Sequence, residues 1–181
     1  MTRIVGGVAG GRRLAVPAGR EVRPTSERVR EALASALEAR LGGSGGLRGR
    51  TVLDLFAGTG AVGLELLSRG AAAVTLVESS PPVRKVLEAN VAGLGLQGAT
   101  VVGSRAETLL QAPDGCWDIA FLDPPYALDV QPILTAAAAH VRQLLVVERA
   151  SRSPDPVWPE GFEELHHRGY GDSTLWYGFR S

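Results

Sequence analysis

The sequence predicts an α/β protein. The expected fold is a Rossmann-like, mostly parallel sheet closed by a C-terminal antiparallel hairpin and preceded by an N-terminal β-hairpin and helix extension. Three observations carry this expectation. Apolar runs of strand length alternate with helical patterns from residue 51 to residue 148. A glycine turn, Asp54-Leu55-Phe56-Ala57-Gly58-Thr59-Gly60, joins the first of these runs to the helical pattern after it. Near the end of the chain, Gly171-Asp172 separates two β-rich runs as a two-residue hairpin turn would.

The chain of 181 residues is long enough for one substantial core and short for two. Hydrophobic content of 45% and a charged fraction of 21% fit a soluble globular protein. Cys116 is the single cysteine, so no internal disulfide forms, and no Cys/His cluster has zinc-ligand spacing. No window reaches membrane-spanning length, and the start, Met1-Thr2-Arg3-Ile4-Val5-Gly6, lacks the apolar stretch of a signal peptide. A cytoplasmic monomer with no metal and no membrane partner is expected.

The elements follow in order. Residues 3–8 and 11–16 are short β-rich runs around Ala9-Gly10-Gly11 and read as a hairpin. Residues 17–24 are a loop. Thr25 or Ser26 caps a helix whose apolar positions, Val29, Leu33, Leu37 and Leu41, recur at helical spacing. Gly42-Gly43-Ser44-Gly45-Gly46 ends it and reads as a flexible joint, dividing a basic extension (1–50) from the main domain (51–181). Strand 51–56, helix 61–69 and strand 74–78 come next. Ser80 with Pro81 and Pro82 opens a helix running to about residue 91, because proline fits a first turn. Strand 99–102, helix 105–112, strand 117–122, helix 130–141 and strand 143–148 complete the alternation. Ser153-Pro154-Asp155-Pro156-Val157-Trp158-Pro159 is irregular, and Phe162–Tyr170 with Ser173–Arg180 forms the closing hairpin. Cys116 reads as a packed thiol and His166-His167 as a surface pair.

Net charge is zero, but its distribution is uneven. Residues 1–50 hold ten Arg and four Glu, a net of +6, and residues 51–181 carry a net of −6. A basic arm on an acidic body points to a polyanionic partner for the arm. Arg3, Arg12, Arg13, Arg23 and Arg28 are the candidate contacts, within a cluster that also holds Arg20 and Arg30, because guanidinium groups grip phosphates in a forked geometry. No aromatic residue occurs in 1–50. Recognition of folded RNA through shape and phosphate therefore fits better than a stacking platform for single strands. Arg28 and Arg30 can alternatively pair with Glu27 or Glu31.

The glycine turn is a candidate ligand site. Gly58 and Gly60 let backbone approach a ligand closely, and the following helix offers free N–H groups. With Gly63 the run also satisfies the dinucleotide spacing, so spacing alone leaves NAD open. Two acids favour S-adenosylmethionine. Asp54 stands where an acid can face the positive amino-acid end of that methyl donor. Glu78, at the end of the second strand of the main domain, can accept hydrogen bonds from ribose hydroxyls, a feature shared with NAD proteins.

The downstream motif decides between them. Ile119-Ala120-Phe121-Leu122 reads as a buried strand, and Asp123-Pro124-Pro125-Tyr126 follows at its C-terminal end. An exocyclic amine on a nucleobase is a poor nucleophile, because its lone pair is delocalised into the ring. The Asp123 carboxylate and the Pro124 carbonyl can accept its N–H bonds and favour localisation of the pair, while the prolines stiffen the bend and Tyr126 stacks on the ring. With an ordinary carboxyl pKa Asp123 would be a weak base, so proton loss to water after transfer is the simpler expectation. Glu148, near the same sheet edge, reads as structural support. Adenine N6 in DNA or RNA suits the same corner, and a non-catalytic RNA- or nucleotide-binding module is the remaining alternative.

Arg3-Ile4-Val5-Gly6-Gly7, Gly11-Arg12-Arg13-Leu14, Arg23-Pro24-Thr25-Ser26-Glu27-Arg28-Val29-Arg30-Glu31, Asp54–Gly60 and Asp123–Tyr126 occur in an order that resembles the bacterial small-subunit (16S) ribosomal RNA guanine-N2 methyltransferase family. The resemblance covers nearly the whole chain. It implies a Rossmann-like S-adenosylmethionine-dependent methyltransferase domain with an N-terminal hairpin that helps hold RNA. The implied target is a guanine N2 in ribosomal RNA, within an assembling or assembled small subunit. It assigns Asp123, Pro124 and Tyr126 to the target amine, and Asp54, Phe56, Gly58, Gly60, Glu78 and Ala106 to the cofactor. Arg105 stands where many such enzymes carry Asp or Asn to hold adenine; an arginine can stack on the ring, and the Ala106 N–H can do the reading.

Overall fold

The structure, a computed structural model, describes residues 2–17, 25–112 and 115–181. Two two-residue strands, β1 (Thr2–Arg3) and β2 (Arg13–Leu14), pair antiparallel. Helix α1 (Glu27–Arg40) follows. Then β3 (Thr51–Asp54), α2 (Ala61–Ser68), β4 (Ala73–Val77), α3 (Pro81–Leu94), β5 (Ala99–Val102), α4 (Ala106–Leu109), β6 (Trp117–Leu122), α5 (Gln131–Ala138) and β7 (Val141–Ala150) alternate. Strands β8 (Phe162–Tyr170) and β9 (Ser173–Arg180) close the chain. The main sheet has the order β5-β4-β3-β6-β7-β9-β8. The first five strands in this order are parallel, and β9 enters antiparallel against β7. Strand order reverses between β3 and β6, which opens a crevice at their C-terminal ends.

Side-chain alternation sorts the apolar residues into two cores. Val52, Ile119, Phe121, Leu144 and Val146 face one side and pack with Val29, Leu33 and Leu37 of α1 and Leu64 of α2. Leu53, Ala120, Leu122, Leu145 and Val147 face the other, against Ile133, Leu134 and Ala137 of α5. Both faces of the parallel strands are thus covered, which is why these strands read as continuous apolar runs. The extension shares the first core: Ile4, Leu14 and Leu47 belong to the same cluster as Val52 and Leu64.

Several elements differ from expectation, each for a physical reason. The N-terminal strands are two residues long because the segment between them bonds to α2. Val5 N and Gly6 N donate to the buried Glu65 carboxylate at 2.7 and 2.8 Å, and Ala9 N donates to Ser68 Oγ at 2.9 Å. The glycine segment after α1 is a run of tight turns, with Gly46 N bonded to Gly43 O and Arg48 N to Gly45 O, wrapped around a fully buried Leu47. Helix α5 stops at Ala138, and Val141 already belongs to β7. Helix α4 is a single turn. Cys116 is exposed rather than packed. His166 and His167 form cross-strand ring stacks with Tyr177 and Trp176, at centroid distances of 4.4 and 4.2 Å.

Candidate active site

The alternation that builds the first core also places three carboxylates together. Val52 and Asp54 share a face of β3; Ile119 and Phe121 share it on β6, and the next residue in phase is Asp123; Leu144, Val146 and Glu148 share it on β7. Register pairs Leu122 with Val147, so Asp123 and Glu148 lie side by side at the ends of neighbouring strands. Helix α1 covers this face. Ser26 is its N-cap, its hydroxyl accepting from Val29 N at 3.2 Å. Thr25, the other capping candidate, turns instead toward the acids: its hydroxyl lies 3.4 Å from Glu148 Oε2 and also bonds the Asp123 carboxyl.

A cavity of about 850 Å³ opens here. It is lined by Phe56 and Gly58 of the glycine turn, by Glu78, Ser80, Arg105 and Ala106 after β4 and β5, by Asp123, Pro124 and Glu148, by Thr25 and Val29 at the start of α1, and by Tyr126, Tyr170 and Asp172. A smaller cavity of about 40 Å³, bounded by Asp54, Ala57 and Thr59, shares Thr25, Phe56, Gly58 and Asp123 with it.

The electrostatics are set by burial. Burial pushes the Asp123 carboxyl up to about 8; the charges of Glu148 and Asp54 push the same way, while the Thr25 hydrogen bond and Arg149 oppose. Burial also raises Asp54 to about 7, against hydrogen bonds from the Gly63 and Phe56 amides. One oxygen of Asp54, Oδ2, accepts from Gly63 N at 3.1 Å; the other, Oδ1, is buried and has no hydrogen-bond partner among the described residues. Such an oxygen beside a cavity suits a cationic donor, and an ammonium group would satisfy it. Glu78 braces the glycine loop, accepting from Gly58 N at 3.1 Å and Ser80 N at 2.7 Å. Each carboxylate oxygen retains a lone pair for a ligand hydroxyl.

The family described as conserved hypothetical protein 95 matches residues 2–178. This chain belongs to that family. Ribosomal RNA small subunit methyltransferase D of Escherichia coli (strain K12) is 42% identical over 124 residues, which cover 68% of this chain and 60% of that protein. The chain therefore spans about 60% of the length of this relative. The solved structure of yhhF from Escherichia coli is 33% identical, covers 99% of this chain and 98% of that one, and superposes with a TM-score of 0.86. Magnesium protoporphyrin IX methyltransferase of Synechocystis PCC 6803, solved with bound SAH, is only 17% identical but shares the fold over 85% of this chain and 82% of that one, with a TM-score of 0.68.

Within this conserved hypothetical protein 95 chain the residues singled out from sequence fall into three groups. Phe56, Gly58, Glu78, Ala106, Asp123, Pro124 and Tyr126 all line the large cavity, with Pro124 buried and the Tyr126 ring 57% exposed at the mouth. Asp54 lines only the small cavity. Gly60 lines neither; it caps α2 at φ +84°, and a Cβ there would sit 2.5 Å from Leu87 Cδ1, so this glycine serves the turn and the approach of α3. Gly63 behaves similarly, since a Cβ would meet Leu76 Cδ2 at 2.4 Å. The third glycine thus marks close helix–strand packing in either nucleotide-binding class.

The arginines also divide. Arg3, Arg13 and Arg28 are exposed, Arg3 bonding Glu27 at 3.2 Å. Arg12 donates to the carbonyls of Gly93 and Leu94 at the end of α3. Arg30 is buried, holding Thr2 Oγ1 at 3.1 Å and the carbonyls of Arg3 and Thr25, with the charges of Glu65 and Glu27 acting on it. Arg20 and Arg23 lie outside the described residues. Sequence reasoning missed the cavity contributions of Thr25, Val29, Tyr170 and Asp172, which depend on how the two terminal additions fold over the sheet. Glu148 carried a usable signal: like Asp123, it stands at the C-terminal end of a parallel strand.

Proposed function

We propose that this protein transfers a methyl group from S-adenosylmethionine to the exocyclic N2 amine of a guanine in small-subunit (16S) ribosomal RNA. The observation that carries the reading is that Asp123 and Pro124 line the same cavity as Gly58 of the glycine loop, with Glu148 in the adjacent register position. The name of the Escherichia coli relative supports the substrate class. The sequence of the arm supports an RNA partner in an assembling or assembled subunit, with Arg3, Arg13 and Arg28 available to phosphates and Arg23 expected to join them.

Bound in the cavity, the cofactor supplies a sulfonium-activated methyl group as electrophile. The residues that fit it are present: Asp54 Oδ1 for the ammonium, Glu78 for the ribose hydroxyls, the Gly58 turn and Phe56 for close contact, and Ala106 N–H with the Arg105 plane for adenine. Asp123 and the Pro124 carbonyl accept the N–H bonds of the target amine and fix its direction, and Tyr126 covers the base. Positioning of this kind contributes up to about 7–11 kcal/mol in intramolecular models. Burial raises the Asp123 carboxyl to about 8 in the ligand-free protein, which favours it as an acceptor for the proton that the methylated amine must lose, with loss to water as the alternative route. The target base must leave its stack, unless it is already unpaired, to enter the cavity.

Incubating the purified protein with labelled S-adenosylmethionine and small subunits, naked 16S rRNA or DNA, then identifying the labelled nucleoside, tests the reading. N2-methylguanosine from the ribosomal substrates is expected. N6-methyladenosine would transfer the corner to the other amine, and saturable binding of NAD without S-adenosylmethionine binding would reject methyl transfer.

A further inference from the structure

A second acid lines the cavity that the transfer chemistry does not use. Glu148 is buried, lines the cavity, and occupies the rung beside Asp123 on the adjacent parallel strand. Neighbouring strands are separated by about 4.8 Å. Two acceptors at that spacing, on one face, present themselves to two adjacent donors of a planar ligand. Thr25 Oγ1 lies 3.4 Å from Glu148 Oε2, and an ionised carboxylate accepts at about four sites in all, so it can serve several donors at once.

Guanine and adenine differ at this point. With the N2 amine of guanine on Asp123, the neighbouring ring atom is N1–H, a donor. With the N6 amine of adenine on Asp123, the neighbouring ring atom is N1, an acceptor that would face the carboxylate. We propose that Glu148 is a specificity-determining residue, accepting the guanine N1–H while Asp123 holds the N2 amine, and thereby excluding adenine. The inference rests on the methyl-transfer reading above and adds to it the element that selects the base. A buried acceptor left facing another acceptor loses its water without gaining a partner, which is the strongest form of discrimination available to a pocket.

The experiment uses small subunits reconstituted with guanine or 2-aminopurine at the methylated position. 2-Aminopurine keeps the N2 amine but presents N1 as an acceptor. The wild-type protein should prefer guanine in kcat/KM on the order of 10- to 100-fold. In Glu148→Gln the amide can donate to N1, so the preference should shrink by about tenfold or more, with S-adenosylmethionine binding retained. Equal use of both RNAs by the wild type would overturn the inference, and that arm needs no variant to fold. An undiminished preference in a folded Glu148→Gln protein would also overturn it, assigning the reading to another group. In both cases robust guanine methylation would leave the proposed reaction standing. Failure of the wild type to methylate the guanine subunit at all would bring down the reaction and this inference together.

Discussion

Burial, and after it the charges of Glu148 and Asp54, push the Asp123 carboxyl up to about 8. The ionised form is the better acceptor for an amine N–H, so kcat/KM for the proposed transfer should rise with pH through about 8 and level off above it. A cationic ligand in the cavity favours the charged form, so the corresponding limb in kcat should fall at lower pH than the limb in kcat/KM. A pH profile of both parameters checks this; a flat kcat/KM between pH 6 and about 8 would contradict it. Asp123→Ala should reduce kcat on the order of 100-fold while S-adenosylmethionine affinity stays within about threefold. Asp123→Asn keeps an oxygen acceptor and should lose less, without the acid limb. Calorimetry alongside the transfer assay separates these roles, because equal loss of binding and transfer would make the residue a support of the fold. The motif was legible from sequence as a stiff acid corner. The altered acidity was not, because it depends on Glu148 and Asp54, which lie 25 and 69 positions away and are brought together only by strand register.

At the scale of elements, the N-terminal hairpin is fastened to the sheet domain by side chains of α2 and α3. Glu65 accepts from Val5 N, Gly6 N and Arg69 Nε, the last at 2.8 Å. Asn90 brackets Ala15, accepting from its N at 2.8 Å and donating to its O at 3.0 Å. Glu65→Ala leaves two backbone N–H groups without their acceptor and should destabilise the protein by about 1–3 kcal/mol, read by chemical denaturation. The same variant should weaken RNA binding while cofactor binding persists. Arg12 and Arg13 should part company. Arg12→Ala removes two hydrogen bonds to the end of α3 and should lower stability, whereas Arg13→Ala should leave stability unchanged and reduce the salt dependence of RNA binding. Equal effects of both on RNA affinity, with no change in stability, would contradict this division. Sequence placed a hairpin at the N-terminus, though with longer strands than the two-residue pair observed, and read its arginines as one cluster. Their roles separate through contacts with residues 81 and 82 positions away in the chain, which no local pattern encodes.

The whole molecule was legible wherever local pattern and tertiary demand agree. Apolar runs, proline-started α3 and the Gly171-Asp172 turn fell where expected because both faces of the parallel strands are buried and the turn requires a left-handed glycine, here at φ +62°. The glycine segment after α1 was misread as a joint because burial of Leu47 ties it down, and composition alone does not reveal that contact. Burying Asp54 and Asp123 also has a consequence for the molecule as a whole. The unfolded chain releases these protons near the ordinary value of 3.8, and the native state retains them until about 7 and about 8. Between these values the native state binds more protons, so stability should fall as pH rises from about 5 to 8. Thermal midpoints measured across that range check the sign, and Asp123→Asn should flatten the slope.

The central claim is that the Asp123-Pro124 corner presents a guanine N2 amine to the methyl donor. The most direct test is mass spectrometry of 16S rRNA from a strain lacking this protein, complemented with either the wild-type or the Asp123→Ala chain. One N2-methylguanosine should be missing in the deletion strain, return with the wild-type chain and stay absent with Asp123→Ala. An unchanged modification profile in the deletion strain, or full restoration by Asp123→Ala, would contradict the account.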